Sequence, residues 1–181
     1  MLSTQAEVPQ RVSDDRFRRA FACFRINHVG DPAAGLTELR RVVHPGGRIA
    51  VTIWPHPQAP LQRLWSHAFE AAGAERPPLL PTLEPDKDFA RTPEGLCGLL
   101  RNAGLKDVRC DAISWVHRAD PEDWWSGPAN GIGTLGVLMQ HQPADMVARI
   151  RYEYDRLTAV YRQDDGTLAL PTGALLASGS V

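Results

Sequence analysis

Apolar and polar positions along the first half of the chain follow two different periods. Residues 20–26 form a short, mostly apolar run, which predicts a strand buried on both faces. From Pro32 onward apolar side chains recur at helical spacing, until the Pro-Gly-Gly sequence at 45–47 stops the helix. Residues 49–54 are apolar and mostly β-branched, as expected of a central parallel strand. This succession predicts a βαβ unit.

The second half of the chain continues the alternation and then changes character. Residues 75–88 are proline-rich and predict a long loop or lid. The other predicted elements are helices at 61–72 and 93–100, a strand at 108–116, a capped helix start at 120–125 before a glycine-rich patch, a long amphipathic helix at 143–162 and a final strand at 168–177. Strands that alternate with helices predict the α/β class.

Composition narrows the class of protein. A length of 181 residues corresponds to about one domain. The net charge of −1 argues against a nucleic acid or an anionic membrane as a partner. The apolar runs are much shorter than the roughly 20 residues of a membrane span, and the N-terminus has no secretory signal. The three cysteines show no C-x-x-C spacing and the histidines do not cluster, so no metal site is predicted. These features predict a cytoplasmic protein.

Three segments of the chain resemble the later part of a class I S-adenosylmethionine-dependent methyltransferase. The first is FRRAFACFRINHVGDP followed by AAGLTELRRVVHPGG and RIAVTIW, over residues 17–54. Its helix ending matches the family pattern at Leu36, Glu38, Arg41, Val42, Pro45, Gly46 and Gly47. The second is LCGLLRNAGLKDVRC and the third is GTLALPTGALLASG, which resembles the family's last, antiparallel strand.

This resemblance implies a partial Rossmann-like sheet made of the later strands, with helices on both faces. The chain would then be a single truncated domain, 1–181. Its parts would be an irregular N-terminus at 1–16, a βαβ core at 17–118, a helical insertion or lid at 119–163 and the final strand at 164–181. Residues 20–26 would form a sheet edge with unpaired backbone groups, which predicts a homodimer, a partner chain or coverage by residues 1–15.

The resemblance also implies S-adenosylmethionine as cofactor and a small-molecule substrate. The residues that would line the cofactor pocket are Gln5, Ala6, Cys23, Phe24 and Arg25. The residues that would contact the substrate are Asn27, Trp54, Trp124 and Trp125. His28 is a candidate general base, since its ordinary pKa lies near 6.5. Each of these positions also has a structural interpretation: core packing for Cys23, Phe24 and the tryptophans, and a structural or solvated role for His28.

The sequence departs from the family at the cofactor-binding half. No glycine-rich loop precedes residue 17, and no acidic residue that would bind the ribose can be placed. Arg18 and Arg19 stand where an acidic and a small residue usually open the strand. Two functions therefore remain open. The first is a methyltransferase-like protein that transfers a methyl group directly to a small molecule, inactive as an isolated chain if cofactor binding is lost. The alternative is a non-catalytic remnant or interaction module that has lost cofactor binding.

Overall fold

The computed structural model of the protein describes residues 12–75 and 83–181. The strands in this part of the chain are β1 (Phe17–Cys23), β2 (Val43–Ile53), β3 (Lys106–Ala119) and β4 (Leu168–Ser180). The helices are α1 (Pro32–Val42), α2 (Pro60–Ala72), α3 (Pro93–Asn102), α4 (Pro121–Ala129), α5 (Gly133–Gln140) and α6 (Ala144–Thr158), with 3-10 turns at Ile26–His28 and Ala159–Tyr161. None of these described helices has both the length and the apolar character that crossing a bilayer requires.

The chain divides into two compact units. The first unit comprises Met1–Ile53, Asp86–Asp111 and Leu176–Val181, and the second comprises Trp54–Pro85 and Ala112–Leu175. β3 and β4 each contribute residues to both units, whereas β1, β2, α1 and α3 belong to the first. The second unit holds α2, α4, α5 and α6.

The first unit contains the predicted βαβ arrangement. β1 pairs with β2 in parallel, with Ala20 opposite Ile49 and Cys23 opposite Thr52. α1 connects them, and it begins where predicted because Asp31 Oδ1 accepts the Ala34 N–H at 2.8 Å. The predicted βαβ order is confirmed.

The last strand runs antiparallel between β2 and β3, in the strand order β1-β2-β4-β3. At one end of β4 the Gly46 N–H donates to the Val181 carbonyl at 2.9 Å, and the Val181 N–H donates to the Gly47 carbonyl at 3.0 Å. On the other side the Ser180 hydroxyl donates to the Lys106 carbonyl at 3.2 Å. These bonds place the carboxyl end of β4 beside the amino ends of both neighbours. The α/β class and the antiparallel last strand are confirmed.

Two predicted boundaries in this unit are wrong. β1 ends at Cys23, not at residue 26, because Phe24 has a positive φ of 51° and turns the chain out of the sheet. The apolar pattern nevertheless continues, since Ile26 is buried in the 3-10 turn. β2 begins at Val43, before the Pro-Gly-Gly sequence. That sequence lies where the β1–β2 register is interrupted, so it forms an irregularity within the strand rather than a separate turn.

The core of the first unit lies on the face of β2 that carries its odd-numbered residues. The side chains of Val43, Ile49, Val51 and Ile53 on that face are fully or nearly fully buried, whereas Arg48 on the opposite face is exposed. The other buried apolar side chains of this unit come from the 3-10 turn, α1, α3 and the strand ends, and they include Ile26, Leu36, Leu96, Leu100, Leu105 and Ala177.

The second unit is built around α2 and α6, which pack against each other. Its buried cluster consists of Leu61, Leu64, Trp65, Ala68, Phe69, Ala72, Leu138, Met139, Ile150, Tyr154, Leu168 and Leu170. The predicted glycine-rich patch is wrong in part, because α5 occupies Gly133–Gln140. Gly136 permits this helix to approach the preceding turn, since a Cβ there would lie 2.0 Å from the Gly131 carbonyl carbon. The long amphipathic helix ends at Thr158, earlier than predicted.

Candidate functional site

The carboxyl ends of β1 and β2 form the candidate site of the first unit. Phe24 follows β1 with its backbone in the left-handed region, which few residues other than glycine adopt. Its N–H donates both to the Thr52 carbonyl at 2.9 Å and to the Thr52 hydroxyl at 3.1 Å. In open α/β sheets ligands bind at the carboxyl edge of the parallel strands. Phe24 is thus held in a strained conformation at the edge where a ligand is expected.

The other predicted residues of this edge follow within one turn. Cys23 and Arg25 are exposed, and Phe24 is half-buried. The His28 N–H donates to the Arg25 carbonyl at 2.9 Å, which closes the 3-10 turn and leaves the His28 residue exposed. The structure therefore brings these four predicted residues together. Gln5 and Ala6 lie outside the described residues, and so does the side chain of Asn27.

Arg18 and Arg19, which the sequence places at the opening of this strand, lie away from its carboxyl edge. β1 begins at Phe17, so Arg18 and Arg19 occupy its amino half. Arg19 and Cys23 are four positions apart, which corresponds to about 13 Å along a strand. That distance exceeds the Debye length of about 8 Å at physiological ionic strength. Arg25 is therefore the cation closest in sequence to the carboxyl edge.

The donor chemistry of this edge fits part of the cofactor that the resemblance implies. The ring of Phe24 is a planar apolar surface of the kind on which an adenine can stack. The Arg25 guanidinium suits a carboxylate such as that of the methionine moiety. The Phe24 N–H is already bonded to Thr52 and is not available as a ligand donor. The glycine-rich loop and the acidic ribose ligand have no counterpart among the described residues of this edge.

A groove of about 490 Å³ lies beside the start of α1 in the same unit. Asp31 and Ala33 line one side, and the small residues Gly95 and Gly98 of α3 line another. The loop before α3 contributes Asp88, whose carboxylate lies 2.7 Å from Arg91 Nη1. That guanidinium lowers the pKa of Asp88. The sequence analysis named none of these groove residues as candidates.

Trp124 and Trp125, the predicted substrate contacts on α4, lie in an aromatic cluster of the second unit. The Trp125 ring centroid lies 5.8 Å from that of Trp65 and 5.3 Å from that of Tyr154. The Arg151 guanidinium lies over Trp125 at 5.1 Å and pairs with carboxylates of α4 and α6. Trp125 thus packs on the core of this unit, while a substrate contact stays a prediction.

Trp124 and Trp54 have different surroundings from Trp125. The Trp124 ring lies 5.0 Å from the His117 ring, and its buried indole N–H has no hydrogen-bond partner among the described residues. Trp54 follows β2 directly in sequence and is half-buried. Its predicted contact with a substrate stays a prediction.

Thr52, the residue that holds Phe24, was not among the site residues predicted from the sequence. A signal for it was present, because Thr52 is the one polar residue within the apolar run at 49–54. A hydroxyl near the end of a buried parallel strand can accept a hydrogen bond from the backbone that follows the adjacent strand. The partner itself could not be read from the sequence, since 28 positions separate the two residues.

Comparisons with known proteins were made by family, by sequence and by structure. No protein-family model and no curated protein matches the chain. Among solved structures, the chain is similar to the YcgJ protein from Bacillus subtilis, at 14% identity and a TM-score of 0.46, over 93% of this chain and 65% of that one. It is also similar to an S-adenosylmethionine-dependent methyltransferase from Thermotoga maritima, at 14% identity and a TM-score of 0.43, over 93% and 58%.

A third similar structure is Haemonchus contortus phosphoethanolamine N-methyltransferase 2 in complex with S-adenosyl-L-methionine. Its identity to this chain is 10%, its TM-score is 0.42, and the match covers 93% of this chain and 34% of that one. The chain spans less than two thirds of the length of each of these three proteins.

Proposed function

We propose that this chain acts in S-adenosylmethionine-dependent methyl transfer to a small molecule, with its cofactor edge at the carboxyl ends of β1 and β2. The observation that carries this proposal is the strained Phe24 backbone at that edge, held by two hydrogen bonds to Thr52. Strained backbone is found preferentially at ligand sites, where the surrounding structure stabilises it. The antiparallel position of β4 is the second support, because the sequence resemblance implied it.

Each residue of the edge has a defined task in this proposal. Phe24 presents its ring to the adenine, and Thr52 holds the backbone that orients that ring. Arg25 binds the carboxylate of the cofactor through its exposed guanidinium. Cys23 is exposed beside them and contributes a small, polarizable wall.

When bound, the cofactor supplies a methyl group activated by the adjacent sulfonium. The protein then has to align the acceptor with that methyl group and exclude water, and both tasks are positional. His28, exposed in the 3-10 turn, is the candidate general base of this edge.

Calorimetric titration of the full chain with S-adenosylhomocysteine tests the proposal. We expect saturable binding, and we expect Phe24→Ala to weaken it about tenfold, which equals about 1.4 kcal/mol. Phe17→Ala is the matched control, because Phe17 is a phenylalanine at the opposite end of β1. Its substitution should leave the affinity unchanged.

Alkylation of Cys23 provides a second measurement that needs no acceptor. A ligand at the edge should slow the reaction of this exposed thiol with iodoacetamide. If the folded chain binds neither S-adenosylmethionine nor S-adenosylhomocysteine, the proposal is wrong and the non-catalytic module is favoured. Equal losses of affinity in the two phenylalanine variants would contradict the placement of the site.

A further inference from the structure

Two arginines lie opposite each other on the exposed face of the β1–β2 pair. The strand register places Arg19 directly beside Arg48, on strands that lie about 4.8 Å apart. Phe21 and Ala50 form the next pair of the same face, since side chains two positions apart point the same way. These four residues, with Ser178 of β4, line a shallow groove of about 300 Å³.

Neither of these guanidiniums has an anionic partner among the described residues. Arg41 of the same unit contrasts with them, because Asp14 and Glu38 both pair with it. Like charges placed directly opposite each other on neighbouring strands destabilise a sheet. The Arg19–Arg48 pair therefore has an unfavourable electrostatic energy, which an anion bound between the two groups would reverse.

Protection of a sheet edge does not explain the pair. Charged side chains on an edge strand discourage pairing with other chains, and this accounts for Arg19 on β1. Arg48 lies on β2, which has β1 on one side and β4 on the other. Its backbone is already paired, so its charge has no edge to protect.

The groove also presents an apolar surface beside the two charges. The Phe21 residue is 68% exposed, which is unusual for a phenylalanine in a strand. Ala50 lies opposite Phe21 and contributes to the floor, and Ser178 lies at the rim. An oxyanion with an attached flat apolar group would contact both surfaces at once.

We propose that Arg19 and Arg48 form a binding site for an oxyanion, a carboxylate or a phosphate, carried on a small planar apolar group that packs against Phe21. Each guanidinium carries planar N–H donors that suit either anion, and the strand register puts two of them next to the groove. The site uses Arg19, Phe21 and Arg48, none of which is among the residues proposed above to hold the cofactor. It therefore does not depend on the function proposed above.

Calorimetry with phenyl phosphate, benzoate and inorganic phosphate, in a low-salt buffer free of other oxyanions, tests this site. We expect phenyl phosphate or benzoate to bind at least fivefold more tightly than inorganic phosphate. The tighter of the two aromatic probes identifies the anion as a phosphate or a carboxylate. Phe21→Ala should weaken the aromatic probes and leave inorganic phosphate unaffected.

Arginine variants separate a defined site from general attraction to positive charge. Arg48→Gln should weaken the aromatic probe at least fivefold, and Arg48→Lys, which keeps the charge but loses the paired donors, should weaken it less. Arg101→Gln removes the same charge from an exposed position on α3 and should have no effect. Circular dichroism checks that each variant is folded. If the Arg48 variants do not fold, Arg19→Lys takes their place and should likewise weaken binding of the aromatic probe.

Three results would overturn the proposal. They are no binding of any probe, equal affinity for phenyl phosphate, benzoate and inorganic phosphate, and equal affinity of Arg48→Gln and Arg101→Gln for the aromatic probe. Binding of S-adenosylhomocysteine is measured separately on the same variants. Because the two sites use different residues, the failure of one proposal leaves the other intact.

Discussion

The Phe24 N–H donates to two oxygens of Thr52, the carbonyl at 2.9 Å and Oγ1 at 3.1 Å. One bond continues the pairing of β1 with β2, and the other ties the first residue beyond the strand to a side chain. Together they hold a phenylalanine at a φ of 51°. The loop above the carboxyl edge thus depends on one threonine of the neighbouring strand.

Thr52→Val tests this dependence, because valine keeps the shape of threonine and removes the hydroxyl acceptor. We expect the free energy of unfolding to fall by about 0.5–1.5 kcal/mol, the usual net value of one hydrogen bond. Denaturant unfolding measures the loss. Hydrogen exchange at the Phe24 amide should accelerate, since only the carbonyl bond remains. Unchanged exchange at this amide would show that the hydroxyl does not hold the loop.

Tyr154→Phe should alter both the stability of the second unit and its dependence on pH. The fully buried Tyr154 hydroxyl donates to the Pro121 carbonyl at 2.7 Å, and its loss should cost about 0.5–1.5 kcal/mol at pH 7. Burial also raises the pKa of this phenol above its ordinary value near 10. Unfolded chains lose this proton near pH 10 while folded chains retain it, so stability should fall as the pH rises above 10.

The phenylalanine variant removes that pH dependence. The decline for one group approaches about 1.4 kcal/mol per pH unit between the unfolded and folded pKa values. Denaturant titrations at pH 7, 9, 10 and 11 on the natural chain and on Tyr154→Phe measure it. If both proteins lost stability in parallel above pH 10, the buried phenol would not be the source.

Two glycines of α3 should respond in opposite ways to substitution by alanine. A Cβ at Gly95 would lie 2.1 Å from the Ala90 carbonyl oxygen, which is backbone and cannot move aside cheaply. Gly95→Ala should therefore destabilise the protein by about 1–3 kcal/mol. A Cβ at Gly98 meets nothing within 4 Å, so Gly98→Ala should stabilise it by about 0.4–1 kcal/mol. Thermal unfolding of both variants measures the two changes in stability. Shifts of the unfolding temperature in the same direction would contradict the packing described for α3.

The three cysteines should react with iodoacetamide at very different rates. Cys23 is exposed and Cys97 is buried, and burial together with the neighbouring Cys97 thiol raises the pKa of Cys110 to about 11. At pH 8 the thiolate fraction of Cys110 is on the order of one in a thousand. Mass spectrometry should detect one fast label, on Cys23, and three labels after denaturation. Rapid labelling of Cys110 in the folded chain would contradict its burial.

The local pattern of the sequence was sufficient for most of the helices and for the central strand. α1 begins at the Asp31-Pro32 pair because the cap and the first-turn proline are properties of adjacent residues. The same holds for α3, where Thr92 Oγ1 accepts the Gly95 N–H. The resemblance supplied the antiparallel last strand, which no local pattern contains. The candidate residues from Cys23 to His28 were singled out because they lie at the carboxyl end of a recognisable strand and on the loop after it, and their roles stay a prediction.

The errors arose where distant residues decide the backbone. The end of β1 was placed too late, because an apolar run does not show that Phe24 turns out of the sheet and bonds to Thr52. The glycine-rich patch before α5 was not recognised as partly helical, because Gly136 allows a close approach only in the folded chain. Propensity is a weak guide at such positions, and tertiary packing overrides it.

The sequence by itself determined the βαβ order and the capped starts of α1 and α3. Those features depend on residues within a few positions of each other. Only the tertiary structure decided that Arg19 lies beside Arg48 and that Trp125 lies against Tyr154. The first relationship depends on the register between two strands, and the second on the packing of α4 against α6. Local periodicity predicts neither relationship, because each one joins side chains more than 25 positions apart.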